Sequence, residues 1–493
     1  MTADLHASVT PPPADDALKI GDATALSEAI HARRVSCVDV MRAHLARTDA
    51  MNPAVNALVS RRPHADVLAA AATRDAQLDA GNSMGWMHGF PVAVKDLAAT
   101  VDAVTTMGSP IYAGHRPDAD SWSVARMKAA GAIVVGKTNT PEFGLGSHTY
   151  NTIFGVTRNA YDLARTAGGS SGAAAVSLAL RLQPVADGSD MMGSLRNPAA
   201  WNNVFGLRPS TGRVPSGPIG DQYVSQLSTD GPMGRSVRDV AQLLQVLAGP
   251  LRRAPLSIEG GTVDFVAAAM PGRLDGLRVG WLGDLGSHLA MEAGVLDACA
   301  SGLRRLESLG AVVEPTALGF APERVWDSWC TWRSWLVAGK LGPLYADPVK
   351  RAQLKPEGIW EIERGLALSA ADIWAASIER TAYFQQMVTL FEQFDLLVLP
   401  SAQMWPFPAE WTWPREVAGR TMDSYHRWME VVIYASLAGL PAMSVPVGFG
   451  DAGLPMGMQL IGPPHGDAAV LRAAAAYEQT VADVLARAPH AAG

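Results

Sequence analysis

The chain has 493 residues, 48% of them hydrophobic, with 40 Lys and Arg against 47 Asp and Glu. A net charge of −7 argues against a nucleic-acid partner, which needs clustered basic residues, and no apolar run approaches the roughly 18 residues of a membrane helix. Three scattered cysteines, Cys37, Cys299 and Cys330, argue against a disulfide framework and for a reducing, cytoplasmic setting.

Residues 1–18 are proline-rich and acidic and read as a flexible leader, without the basic start and apolar stretch of a secretory signal. Between Ala25 and Ala50, the residues Leu26, Ile30, Val35, Val38, Val40, Met41 and Leu45 recur at helical spacing and predict one helix. Alanine-rich Ala65–Leu78 predicts a second. Phe90–Val94 reads as a short strand running into Lys95. Ser121–Ala130 reads as a helix ended by Gly131, and β-branched Ala132–Val135 as a strand. Ser171–Leu180 has small residues on all sides, as a buried helix would, and Pro184–Ala186 predicts a brief strand. Leu303–Leu309 and Ala311–Val313 repeat a helix–strand step. Asp395–Leu399 reads as a buried strand closed by Pro400, Ser444–Val447 and Gly457–Ile461 as late core strands, and Val470–Leu485 as a terminal amphipathic helix. Alternating helix and strand signals predict an α/β layered fold.

Ten of the fourteen tryptophans fall between residues 326 and 428, which marks this stretch out as a special environment. Trp326, Trp329, Trp332 and Trp335 recur every third residue and are expected to share one broad helical face. That face is either the wall of an aromatic pocket or core and dimer packing. Cys330 inside the stripe reads as a pocket-lining residue or, more simply, a packed thiol.

Three segments carry the chemistry. Gly89-Phe90-Pro91-Val92-Ala93-Val94-Lys95-Asp96 brings a lysine out of an apolar strand. Gly168-Gly169-Ser170-Ser171-Gly172 and Gly188-Ser189-Asp190-Met191-Met192-Gly193-Ser194-Leu195-Arg196 frame serines with glycines. A hydroxyl is a poor nucleophile until a base takes its proton. A lysine can do so only when uncharged, which burial promotes, and Val92, Val94 and Leu97 surround Lys95 with apolar groups. The segments read as a base, a relay and a nucleophile on tight turns. Asp96 reads as a turn or capping residue as readily as a catalytic one. Gly131–Thr138 also satisfies the P-loop pattern, but its β-branched residues lie between the glycines, where a phosphate loop would have to be. No HExxH and no cysteine-rich spacing is present, so neither metal nor cofactor is expected. His148, His288 and His465 are candidates to reach a pocket, although an isolated histidine is more often surface or core.

With these motifs the chain resembles the amidase signature enzymes, which cleave amides with a Ser–cis-Ser–Lys triad. The likeness extends to Lys137-Thr138-Asn139-Thr140-Pro141-Glu142-Phe143, to Phe205-Gly206-Leu207-Arg208-Pro209-Ser210, and to Leu440–Leu460. Position by position, the resemblance implies that Lys95 is the general base, Ser170 the relay serine with the cis peptide, and Ser194, 24 residues on, the nucleophile. It further implies an oxyanion hole from the backbone of Met191, Met192, Gly193 and Ser194, with Ser171, Asp190 and Arg196 in support. Met192 stands where the family usually has glycine, and Ala173 replaces the second glycine after the serine pair. Met192 reads as a change in pocket shape.

The resemblance implies one large α/β domain over residues 19–493, with a central mixed sheet covered by helices on both faces. Residues 250–430 match loosely and are expected to shape the substrate pocket, with Trp329, Cys330 and Trp332 as possible lining. The leading expectation is a homodimeric amidohydrolase acting on an apolar, aromatic or cyclic small-molecule amide through an acyl-enzyme on Ser194. The alternatives are an amidotransferase subunit supplying ammonia to charged tRNA, and a non-catalytic binding protein on the same fold.

Overall fold

Two sheets form the frame of the computed structural model, which describes residue 18, residues 20–258 and residues 263–489. The expected leader, residues 1–18, lies outside the described residues except for Leu18. The smaller sheet has strands β1 (Leu58–Val59), β2 (Pro91–Lys95) and β3 (Ile133–Thr138) in the order β1-β3-β2, with β2 and β3 parallel. All of β2 and β3 is buried, as their β-branched runs predict.

The larger sheet has eight strands. They are β4 (Ala186–Asp190), β5 (Phe205–Arg208), β6 (Thr229–Gly234), β7 (Arg278–Trp281), β8 (Val312–Pro315), β9 (Leu396–Pro400), β10 (Ala442–Phe449) and β11 (Pro455–Ile461). Their spatial order is β8-β7-β9-β11-β10-β5-β6-β4. β7 pairs in parallel with β8 and β9, and the other pairings are antiparallel, so the sheet is mixed. The apolar run Leu396-Leu397-Val398-Leu399 is buried throughout, which suits its interior place in the sheet. Strands from residues 278–315 and 396–400 join this same sheet, so the loosely matching middle of the chain is built into the core of the single mixed α/β domain.

The helices flank these sheets. The single helix expected over Ala25–Ala50 is two, α1 (Ala23–His31) and α2 (Cys37–Val55). Arg33 between them has a φ of 56°, which no helix continues through. Ser36 then starts α2 by accepting the Asp39 N–H at 3.0 Å. α3 (His64–Asp79), α4 (Trp122–Ala129) and α5 (Gly172–Ala179) fall where predicted. α6 (Arg196–Trp201) follows the second serine loop, and α7 (Val237–Leu247) and α8 (Val295–Ser308) cover the large sheet. The expected terminal helix breaks into α13 (Asp467–Glu478) and a short turn at Ala482–Leu485. The strand expected between the glycines of Gly131–Thr138 is β3, and Lys137 Nζ is buried and donates to the Ala98 carbonyl.

Six of the ten tryptophans lie on a helical layer, Trp326, Trp329, Trp332 and Trp335 on α9 (Pro322–Ala346), Trp360 on α10 (Pro356–Leu366) and Trp374 on α11 (Ala370–Gln393), followed after β9 by the short α12 (Ile433–Leu437). The expectation of one shared indole face is corrected here. A three-residue step on a helix lags a full turn by about 60°, so four such residues spread over about half the circumference. Trp326 meets the His426 ring edge-on at 5.1 Å, whereas Trp332 meets Trp335 at 5.4 Å under the Arg380 guanidinium. Trp329 is fully buried.

Candidate active site

β2 of the small sheet delivers Lys95 to the edge strand β4 of the large one. The Lys95 N–H donates to Asp187 Oδ1 at 3.1 Å, which ties the two strands together. The Lys95 amine is buried. Its Nζ lies 2.8 Å from Ser170 Oγ, 2.9 Å from Ser171 Oγ and 3.0 Å from Ser189 Oγ. Burial pulls its pKa down from 10.5 to about 7, against the opposing pull of Asp187, Asp190 and Asp230. An uncharged amine has two N–H donors and one lone pair. It can therefore donate to two of these hydroxyls and accept the proton of the third.

Ser170 follows Gly169 through a cis peptide bond. Ser147 holds this turn, with its Oγ 2.6 Å from the Gly169 carbonyl and 2.7 Å from Asn197 Oδ1. Ser171 is at the start of α5, and its N–H donates to the Ser194 carbonyl at 3.2 Å. This bond joins the two serine loops. Ser194 is 7% exposed against 2% for Ser170, so the expected nucleophile is the more open of the two. Lys95, Ser170 and Ser171 thus meet directly, and Ser194 is joined to them through the backbone.

Asp190 organises the second loop from underneath. Its carboxylate accepts the N–H groups of Gly193 at 2.9 Å and Leu195 at 3.1 Å. It also accepts the Arg196 Nε and Nη2 groups, each at 3.0 Å. Burial alone would push its pKa up, but the charges of Arg196 and Arg208 outweigh this and hold it well below the usual carboxylate range. The expected oxyanion hole is corrected at one position. The Gly193 N–H already donates to Asp190, so it is not free for a substrate oxygen. Among the described residues, the N–H groups of Met191, Met192 and Ser194 have no such partner. The Met192 side chain is buried in the core, and it is Met191 whose sulfur meets the Arg333 guanidinium, at 3.4 Å.

Gly193 shapes the turn. Its φ is +76°, and a Cβ there would lie 2.7 Å from Val432 Cγ2. Gly193→Ala is expected to lower kcat at least about 10-fold and to reduce Tm, since the left-handed conformation alone costs about 1–2 kcal/mol for an L-residue. Steady-state kinetics and a thermal melt read both effects, and wild-type kcat in the variant would show that the turn tolerates a shift.

A narrow cleft adjoins these loops, lined by Leu145, Ser147, His148, Tyr150, Lys355, Glu357, Trp413, Tyr425 and Trp428 among others. Of the expected pocket residues, Trp329, Cys330 and Trp332 do not line it. They are 0%, 3% and 8% exposed and pack inside the helical layer, and burial pushes the Cys330 thiol up to about 12. His148 does line the cleft. Burial takes its pKa down to about 4, and Thr166 and the Ala409 carbonyl fix its ring. His288 instead bridges Glu430 and Glu323, and the His465 carbonyl faces Arg213.

Sequence reading assigned no role to Ser189 and Asp187, and strand alternation holds the signal. Residues i and i+2 of β4 share a face, so Asp187 and Ser189 both turn toward Lys95 while Asp190 turns away to the two arginines. Among the described residues no group of His, Cys, Asp and Glu is placed to hold a metal ion, and no helix is long and apolar enough to cross a membrane.

Comparison with known proteins agrees with this architecture. The Amidase family profile matches residues 39–471. An acylamidase of Rhodococcus erythropolis is 33% identical, with 92% of this chain and 94% of the relative covered. One subunit of the glutamyl-tRNA(Gln) amidotransferase of Acidothermus cellulolyticus is 34% identical over 92% of this chain and 93% of its own. The crystal structure of a bacterial aryl acylamidase of the amidase signature enzymes superposes with a TM-score of 0.88 at 29% identity, covering 95% of this chain and 98% of that one. A match across nearly the whole length, on a mixed α/β fold shared with solved amidases, has one consequence: the chain belongs to the amidase family, the amidase signature enzymes, and is a hydrolase of carbon–nitrogen amide bonds.

Proposed function

We propose that the protein hydrolyses a small-molecule amide with an apolar, aromatic or cyclic body through an acyl-enzyme on Ser194. The observation that carries this reading is the buried Lys95 amine, its pKa brought to about 7 and its Nζ 2.8 Å from Ser170 Oγ. A base poised near neutral pH is half uncharged and ready to accept a proton. In this reading Ser170 passes its proton to Lys95 as it takes the proton of Ser194. Ser194 Oγ attacks the amide carbonyl, forming a C–O bond. The oxygen charge of the tetrahedral intermediate is met by the N–H groups of Met191, Met192 and Ser194, each such donor contributing about 3 kcal/mol in comparable enzymes. The proton returns through Ser170 to the leaving nitrogen as the C–N bond breaks, and water then cleaves the ester by the same route. Aromatic groups in the cleft and the acylamidase and aryl acylamidase relatives support an aromatic amide.

The test is a fluorophosphonate probe followed by peptide mass spectrometry, together with p-nitroanilide turnover by the protein purified alone. Labelling at Ser194 with turnover is expected. Turnover only in the presence of partner proteins and charged tRNA would instead favour a role within an amidotransferase complex, the reading to which the amidotransferase relatives point. Failure of the probe to label any serine would favour a non-catalytic protein.

A further inference from the structure

β4 and β6 turn a row of polar side chains toward Lys95. In their antiparallel register Ser189 lies directly opposite Asp230, and Asp187 opposite Pro232. Directly opposed residues project to one face with Cβ atoms about 5 Å apart, so Asp187, Ser189 and Asp230 share the face that Lys95 meets. Lys95 runs along this row. Its N–H donates to Asp187 Oδ1 at 3.1 Å, and its Nζ lies 3.0 Å from Ser189 Oγ. Asp230 therefore stands one side chain beyond the amine, across from a hydroxyl that touches it. From the other side its carboxylate accepts the Ser123 hydroxyl at 3.2 Å, in the first turn of α4.

Three carboxylates pull on the Lys95 proton, Asp187 and Asp190 from β4 and Asp230 from β6. They are not equivalent. The charge of Asp190 is met by Arg196 and Arg208. Asp187 is buried and feels the opposite charge of Lys137, from β3, as well as that of Lys95. Asp230 is half-buried, and among the described residues its side chain is held by a neutral hydroxyl with no basic group in ion-pair contact. Lys340 of α9 faces it but is exposed, where water and salt screen its charge. The negative charge of Asp230 is thus the least cancelled at the amine. Burial, and then the like charge of Asp187, push the Asp230 carboxyl up to about 6, just under the amine at about 7.

We infer that Asp230 is a positioning residue of the proton route: its carboxylate, set beside Ser189 by the strand register, favours the charged form of Lys95 and so fixes how far into acid the enzyme works. The two groups take up protons as a pair. While Asp230 is ionised, Lys95 holds its proton more tightly and stops acting as a base sooner as pH falls. Once Asp230 takes up a proton itself, that support ends. This inference rests on the amidohydrolase reading above.

Asp230→Asn keeps the shape and an acceptor for Ser123 while removing the charge. The readout is kcat/KM for a p-nitroanilide against pH, each profile scaled to its own plateau, which cancels any loss of folded enzyme. The acid limb of the variant is expected about half a pH unit lower, as loss of one nearby charge gives at the effective dielectric of a protein. Near pH 6.5 the variant should then keep about 2-fold more of its plateau activity than the wild type. The gap should close again below about pH 5, where Asp230 is neutral in the wild type too. A purely structural defect lowers activity alike at every pH and leaves the scaled profiles coincident. Coincident profiles would overturn the role of Asp230 and leave the amidohydrolase standing. If no amide is hydrolysed, the amidohydrolase reading fails, and stability still decides Asp230. The urea-midpoint gap between a protein and its Lys95→Met counterpart grows with pH once Lys95 has lost its proton in the folded state. In the Asp230→Asn background that growth is expected to begin about half a pH unit lower. Growth beginning at the same pH in both backgrounds would overturn the inference.

Discussion

Replacing Lys95 by methionine is expected to lower kcat/KM about 10⁴-fold, the upper end of what a positioned general base contributes. The side chain keeps its length and loses the amine that sits among Ser170, Ser171 and Ser189. The fold should survive, because the amine is buried in surroundings that disfavour its charge. Its pKa is depressed, so between about pH 7 and the ordinary value of 10.5 the unfolded chain binds a proton that the folded chain does not. The wild type accordingly gains stability as pH rises through that window, and the methionine variant lacks this slope. At pH 7 its Tm is expected to equal or exceed that of the wild type. The wild-type kcat/KM should fall on the acid side of about pH 7, where Lys95 takes up a proton and stops acting as a base. A pH–rate profile flat from about 5.5 to about 8.5, or a variant with more than about a tenth of normal activity, would remove Lys95 from the proton route.

The second large effect belongs to a residue that would touch no substrate. Asp190→Asn is expected to destabilise the protein by about 3–5 kcal/mol, the range seen when one partner of a buried ion pair is removed. Arg196 and Arg208 are both fully buried, and Asp190 is the carboxylate that balances them. Asparagine keeps the shape and one acceptor, but leaves two guanidiniums without a counter-charge. Turnover should fall with it, because the Gly193 and Leu195 N–H groups on either side of Ser194 are held by the same carboxylate. The pH dependence has a definite sign. The folded-state pKa of Asp190 is depressed, so its contribution is complete above the ordinary carboxylate value and is lost as pH falls toward the folded one. The gap between wild type and variant in urea midpoints should be constant from about pH 5 to about pH 8 and narrow in strong acid. A variant as stable as the wild type at neutral pH would show that the arginines find another partner.

Much of the frame was legible because it is local. β2, β3 and α5 carry their burial in their own composition, and the glycines around Ser170 and Ser194 mark tight turns wherever they occur. The misses also have local causes. The break between α1 and α2 was signalled by Ser36 and Asp39, a serine cap with its partner three residues on, but the hydrophobic spacing ran across it. The tryptophan stripe was misread through helix geometry: a three-residue step turns steadily away from any one face. Gly193 was expected as an oxyanion donor on family likeness, and only the position of the Asp190 carboxylate removed it.

The chemical vocabulary was set by the amino-acid sequence alone: a lysine after an apolar strand, paired serines on glycine turns, and the ordering that marks the family. Tertiary structure decided how those groups behave. The proton affinity of Lys95 depends on how much water is excluded and on Asp187 and Asp230, which arrive from other strands. The cleft likewise draws its walls from separate stretches of the chain, Leu145 and Tyr150 from one, Lys355 and Glu357 from another, Trp413 and Tyr425 from two more, and it exists only where these meet. Desolvation and Coulomb terms sum over neighbours in space, and neighbours in space are not written side by side along the chain.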